Sequence, residues 1–146
     1  MIHEAEEKYY FDGELGAVYT PESTEFRMWS PFAEEVSLNI YPDGSDSPAS
    51  DIVPMTKDEN GVWSVKCQGD LDNVYYTYSV TFEGVAEETI DIYAKAAGVN
   101  GNRGEVVNFA KTNPIGWGNF KAKPLKNYTD AVIYETHVRD FSVDRS

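Results

Sequence analysis

Near the end of the chain, the stretch DAVIYETHVRDF brings together four side chains capable of acid–base chemistry: Glu135, His137, Arg139 and Asp140. The stretch is typical of a β-strand, in which successive side chains point to opposite faces. Glu135 would then share a face with His137 and Arg139, and Asp140 would point the other way. Two carboxyl groups that act on one bond must both reach it, so this pair is a poor candidate for catalysis. We predict instead that Glu135 and Arg139 form a structural charge pair and that His137 is a hydrogen-bonded structural histidine.

The elements that precede this stretch are also predicted to be strands. Alternating polar and apolar residues place Phe26 and Met28 on one face of a first clear strand, which ends at Pro31 because proline cannot donate to a ladder. An Asn60-Gly61 pair and Gly84 are typical of hairpin turns. Further strand patterns cover residues 36–41, 62–67, 74–82 and 85–89. Many short strands with turn residues between them predict an all-β fold, an immunoglobulin-like antiparallel β-sandwich.

Composition excludes several classes of function. The chain has 146 residues and a formal net charge of -13, which repels nucleic acid and anionic membrane surfaces. The sequence has no apolar run long enough to span a bilayer, and its start, MIHEAEEKYY, carries acids where a signal peptide would be basic and then apolar. A cytoplasmic protein is therefore favoured.

Cysteine and acidic residues give little evidence of a reactive or metal site. The single cysteine, Cys67, lies in a strand pattern and is interpreted as a buried, inert thiol. The loop PDGSDSPASD is rich in aspartate, but its spacing does not fit a calcium-binding EF-hand loop. We predict neither a metal nor a cofactor.

Six stretches, taken in order, resemble the front part of type I pullulanases, which are α-glucan debranching enzymes. The resemblance covers Gly16 to Ser142. The stretches are GAVYTPESTEFRMWSPFAEEVSLNIY, GVWSV, YYTYSV, DIYAKAAGVNGNRG, TNPIGW and AVIYETHVRDFS.

The resemblance implies a domain order. Residues 1–15 would be a lead, 16–95 a β-sandwich of carbohydrate-binding family 48, 96–128 a connector, and 129–146 the start of a truncated (β/α)8 catalytic barrel. DAVIYETHVRDF would be the first barrel strand. The family's three catalytic acids lie on later barrel strands, so no catalytic residue can be carried over, and this chain is expected not to be an enzyme by itself.

The resemblance also makes sugar binding a serious hypothesis, because flat aromatic rings stack on glucose units. The candidate carbohydrate-binding residues are Trp63, Tyr76 and Tyr78. Trp63 stands where the family usually has an inward-facing tryptophan, and one face of the strand that holds Tyr76 and Tyr78 should be exposed. Trp29, next to Met28 and a turn, is interpreted as a core residue.

Three hypotheses remain open at this point. The chain could be a non-catalytic accessory domain that docks to its own catalytic barrel with weak α-glucan contact, an autonomous α-glucan-binding module, or a purely structural sandwich. Without its barrel neighbours, the segment after about Asn127 is predicted to be disordered or paired with another molecule, by exchange between two chains.

Overall fold

The computed structural model describes residues 8–143. The first part of the predicted lead, residues 1–7, and the last part of the predicted barrel segment, residues 144–146, lie outside the described residues. The strands are β1 (Gly16–Thr20), β2 (Ser23–Trp29), β3 (Glu35–Tyr41), β4 (Asp51–Pro54), β5 (Thr56–Lys57), β6 (Val62–Gln68), β7 (Tyr75–Phe82), β8 (Val85–Thr89), β9 (Ala96–Ala97) and β10 (Gly104–Glu105). The helices are α1 (Phe109–Thr112) and α2 (Val138–Ser142), and 3-10 turns occur at Val99–Gly101, Trp117–Asn119 and Tyr128–Asp130.

The strands form two antiparallel sheets, as expected for a β-sandwich. The first sheet has the order β1-β2-β6-β5 and the second β4-β3-β7-β10-β9, with β8 paired to β7. The turn between β5 and β6 is the predicted Asn-Gly turn: Gly61 has a φ of +76°, and the Asp58 carboxylate accepts hydrogen bonds from the Asn60 and Val62 N–H groups, both at 2.9 Å. The all-β prediction is confirmed, and tight turns join the paired strands β1 and β2, β5 and β6, and β7 and β8.

The core lies between the sheets and follows the period of two. Phe26 of β2 is fully buried and Met28 packs against the same cluster. Opposite them, β3 contributes Val36 and Leu38 and β7 contributes Tyr76, Tyr78 and Val80. Cys67 is half-buried, and burial raises the pKa of its thiol, which favours the unreactive protonated form.

Within the described residues, the chain divides into two compact units, the first ending at Thr112 and the second beginning at Asn113. The sandwich and α1 belong to the first. In the second, residues 131–137 form no strand ladder and α2 follows them. The predicted barrel strand is therefore not formed as a strand, because an isolated segment has no neighbour to take its backbone hydrogen bonds.

Among residues 8–143, no helix has the length and apolar character needed to cross a membrane. Over the same part of the chain, no group of His, Cys, Asp or Glu side chains is arranged to hold a metal ion.

Candidate functional site

The three predicted sugar-stacking residues lie in the core. Trp63 is 7% exposed, and Tyr76 and Tyr78 are both 0% exposed. The Trp63 indole N–H donates to the Ser30 carbonyl at 2.9 Å, and the Tyr76 ring meets Phe26 edge-on at a centroid distance of 4.9 Å. The structure corrects this assignment, because a ring enclosed between two sheets has no face to offer to a sugar.

A buried carboxylate explains why tyrosines rather than phenylalanines occupy the β7 core positions. Asp91 Oδ2 accepts a hydrogen bond from Tyr76 OH at 2.8 Å and a long one from Tyr78 OH at 3.4 Å. Its Oδ1 accepts from the Tyr93 N–H at 2.8 Å. Burial, reinforced by the charge of Asp91, raises the pKa of both tyrosines well above their usual range. Asp91 therefore links the segment that follows β8 to the core by hydrogen bonds.

The outer face of the second sheet carries a polar network centred on Glu88. Its Oε1 accepts hydrogen bonds from Tyr41 OH and Thr77 Oγ1, both at 2.6 Å, and the Thr77 and Tyr41 bonds hold the pKa of Glu88 below its usual range. Asn39 Nδ2 donates to Thr77 Oγ1 at 3.1 Å. The Arg103 guanidinium lies 3.6 Å from the centre of the Tyr41 ring. These groups bond to one another, so the network is mainly structural.

A groove lined by aromatic side chains opens on the surface of the first unit. We call it the aromatic groove. Its volume is about 250 Å³ and its lining residues are Tyr9, Tyr10, Phe11, Leu15, Trp29 and Tyr93. A second hollow of about 110 Å³ shares Trp29 and Tyr93 with it and continues along Ile90 and Ile92.

The prediction that Trp29 is a core residue is wrong, because Trp29 is 36% exposed. The alternation of β2 contains the information needed to place it: Phe26 and Met28 face the core, so Trp29 must lie on the opposite face with Arg27. The aromatic run Tyr9, Tyr10, Phe11 in the lead, which is visible in the sequence, was not among the predicted binding residues.

The polar residues of DAVIYETHVRDF are arranged differently from the prediction. Arg139 and Asp140 lie in α2, and His137 immediately precedes that helix. His137 Nδ1 is 3.3 Å from Asp140 Oδ2. These two side chains therefore lie together, whereas the predicted strand would have placed them on opposite faces. Glu135 and Arg139, both within the described residues, do not form the predicted ion pair with each other.

Solved structures place this fold among pullulanases. The pullulanase from Paenibacillus barengoltzii in complex with maltohexaose and α-cyclodextrin is 42% identical with a TM-score of 0.89, and the match covers 97% of this chain and 22% of that one. For the pullulanase from Bacillus acidopullulyticus the identity is 40% and the TM-score 0.84, with coverage of 94% and 17%.

Curated relatives give the same picture. The pullulanase of Bacillus subtilis (strain 168) is 39% identical over 139 residues, which is 94% of this chain and 18% of that protein. Pullulanase 1, chloroplastic, of Arabidopsis thaliana is 36% identical over 149 residues, or 95% of this chain and 15% of that protein. The chain thus spans less than a fifth of the length of these relatives.

The sandwich itself matches a described family. The family model of carbohydrate-binding module 48 (Isoamylase N-terminal domain) covers residues 14–94, which are the strands β1 to β8 and the turn around Asp91. The resemblance found in the sequence is confirmed, and the chain belongs to the carbohydrate-binding module 48 family.

Proposed function

We propose that this chain is the non-catalytic accessory domain of a pullulanase-type glycoside hydrolase that debranches α-1,6-linked glucan. Its main task would be to dock against the catalytic barrel, with weak α-glucan contact in addition. The observation that carries the proposal is the coverage of the matches: relatives of known name match 94% of this chain, yet the chain accounts for only 18% of the pullulanase from Bacillus subtilis.

Four carboxyl groups within residues 8–143, those of Glu14, Asp70, Asp72 and Glu88, are poor candidates for a catalytic acid. Glycoside hydrolysis needs a carboxylic acid with a raised pKa beside a second carboxylate, roughly 5 to 10 Å apart. Within residues 8–143, the carboxyl groups with a clear shift have lowered pKa values. A hydrogen bond from Lys95 lowers the pKa of Glu14, one from Tyr19 lowers that of Asp70, and one from Lys111 lowers that of Asp72. Carboxyl groups held in the charged form are poor proton donors at neutral pH.

Hydrolysis by the chain alone tests the non-catalytic part of this proposal. The purified chain is incubated with pullulan and new reducing ends are measured, beside a mock preparation from the same host without the gene. We expect no release above the mock preparation, and Glu135→Ala should change nothing. Sustained release above the mock level would overturn the proposal, and release that survives Glu135→Ala would require a catalytic site elsewhere in the chain.

Docking can be tested by complementation. The region that matches this chain is deleted from the pullulanase of Bacillus subtilis, and this chain is added as a separate molecule. We expect the two pieces to associate in sedimentation experiments and the melting temperature of the truncated enzyme to rise, because binding to the folded state stabilises it. If a correctly folded truncated enzyme neither binds this chain nor gains stability, docking is not its role.

A further inference from the structure

We propose that the aromatic groove is a stacking subsite for a short α-1,4-linked glucan of the maltooligosaccharide class. The inference deepens the proposed function and rests on it, since it gives the weak α-glucan contact a location. The groove is only partly inside the family match: Trp29 and Tyr93 belong to residues 14–94, whereas Tyr9, Tyr10 and Phe11 come from the lead that precedes them.

Trp29 is fixed in the orientation in which it lines the groove. Its indole N–H donates to two backbone carbonyls at once, that of Tyr9 at 2.9 Å and that of Asn60 at 3.2 Å. Tyr9 is held in addition by an edge-on contact with Phe32, at a centroid distance of 5.8 Å. A ring that is already immobilised loses little conformational entropy when a ligand stacks on it, so more of the contact energy appears as affinity.

The backbone of Tyr93, another residue that lines the groove, is also held in place. Its backbone N–H is bound to the buried carboxylate of Asp91. Gly16 allows the close approach of this segment, because it has a φ of +87° and a Cβ there would lie only 3.0 Å from the Tyr93 Cβ and carbonyl oxygen. Tyr93 remains 48% exposed and Tyr10 is 69% exposed, so both residues leave surface available to a ligand.

The chemistry of the groove fits a neutral sugar better than other small ligands. Aromatic rings offer apolar faces to the C–H groups of a pyranose, and tyrosine hydroxyls can bond to sugar hydroxyls. The residues that line the groove carry no charged side chain. The net charge of -13 disfavours anionic ligands such as nucleotides. The groove and the hollow that adjoins it reach the lower end of the volumes of small-molecule sites, roughly 300 to 1,000 Å³.

The test is an NMR titration of the whole ¹⁵N-labelled chain with maltohexaose. The protein has three tryptophans, so three indole N–H signals can be assigned by single Trp→Phe replacements. We expect the Trp29 signal to shift and saturate, while the signals of buried Trp63 and of Trp117, in the second unit, stay in place. Cellohexaose, which has β-linkages, is the matched sugar control and should give a clearly smaller shift.

Two surface variants measure the stacking itself. Tyr10→Ala and Tyr93→Ala should each weaken maltohexaose binding roughly 2- to 10-fold, the range expected for one aromatic stacking contact. Trp117→Ala, which removes a tryptophan that is 59% exposed outside the groove, is the matched control and should bind as the parent does.

The outcomes separate this inference from the proposed function. If millimolar maltohexaose causes no shift, or if neither tyrosine variant changes the affinity, the subsite does not exist. If sugar has no effect and Tyr10→Ala instead weakens association with the truncated pullulanase, the groove is a protein-docking face and the inference is overturned while the accessory role stands. Binding of sugar in the groove without association would support the subsite and overturn docking.

Discussion

Tyr76 and Tyr78 offer a matched pair for testing how the buried carboxylate holds the sandwich together. Both rings are 0% exposed and both hydroxyls point at Asp91 Oδ2, but at different distances, 2.8 Å and 3.4 Å. Replacing each by phenylalanine removes only the hydroxyl and leaves the buried ring in place. We predict that Tyr76→Phe destabilises the domain clearly more than Tyr78→Phe.

The magnitude follows from the geometry. A hydrogen bond to a charged acceptor contributes about 1.5–3 kcal/mol to the free energy of unfolding, and the Tyr76 bond has the usual O–H to O length. The Tyr78 distance exceeds that range, so its loss should cost less than about 1 kcal/mol. Since domains of this size are stable by about 5–15 kcal/mol, the first substitution removes a measurable share.

Urea unfolding followed by tryptophan fluorescence is the assay. With a slope of about 1–3 kcal/mol per molar urea, Tyr76→Phe should lower the midpoint by about 1 M and leave the slope unchanged. Equal losses for the two variants, or a larger loss for Tyr78→Phe, would show that the distances to Asp91 do not determine the energetics and would refute the reasoning.

Three further predictions concern the same sandwich. Thr24 is 0% exposed and, among the described residues, its Oγ1 has no hydrogen-bond partner. Thr24→Val should therefore raise the free energy of unfolding, measured by urea titration, by about 1 kcal/mol. A loss of stability would contradict this prediction. Because the pKa values of Tyr76 and Tyr78 are raised in the folded state, both hydroxyls stay neutral there, whereas in the unfolded state they ionise near pH 10. The free energy of unfolding should therefore be constant below about pH 10 and fall above it, and the fall should be shallower in Tyr76→Phe. The Arg103 guanidinium donates to the Ser47 carbonyl at 2.6 Å and to the Ser47 hydroxyl at 2.9 Å. Arg103→Lys removes this planar, two-pronged donor, so it should lower the free energy of unfolding by about 1–2 kcal/mol and speed amide hydrogen exchange in the loop of residues 42–50. Unchanged exchange would show that the loop does not depend on Arg103.

The sandwich was predictable from the sequence because its information is local. Alternation along β2, β3 and β7 identifies the faces, and the Asn60-Gly61 and Glu83-Gly84 turns fix where strands reverse. Which sheet each strand joins is not local information, since β2 pairs with β6 rather than with β3.

The candidate site was harder to predict, because burial depends on what covers a face. Tyr76 and Tyr78 alternate correctly, but only the opposing sheet decides that their face is the enclosed one. The aromatic groove combines the lead, the end of β2 and the segment after β8, and no short pattern shows that these will meet. The sequence around Glu135 and His137 favours a strand, yet a strand requires a neighbour to complete its hydrogen bonds.

Strand β10, which lies outside the residues matched by the family model, pairs with the part of β7 that β8 does not reach. Along β7, the strand β8 pairs with residues 78–82, and β10 pairs with Tyr75 and Tyr76. Directly after β10, Val106 is 1% exposed in the core and its N–H donates to the Val74 carbonyl at 2.9 Å. A fragment cut at Lys95 would keep the matched residues but lose these bonds, and we expect it to precipitate or self-associate in light scattering, whereas a fragment that ends after Thr112 should stay monomeric. An isolated module should therefore be prepared with its C-terminus beyond β9 and β10, the first two strands of the predicted connector.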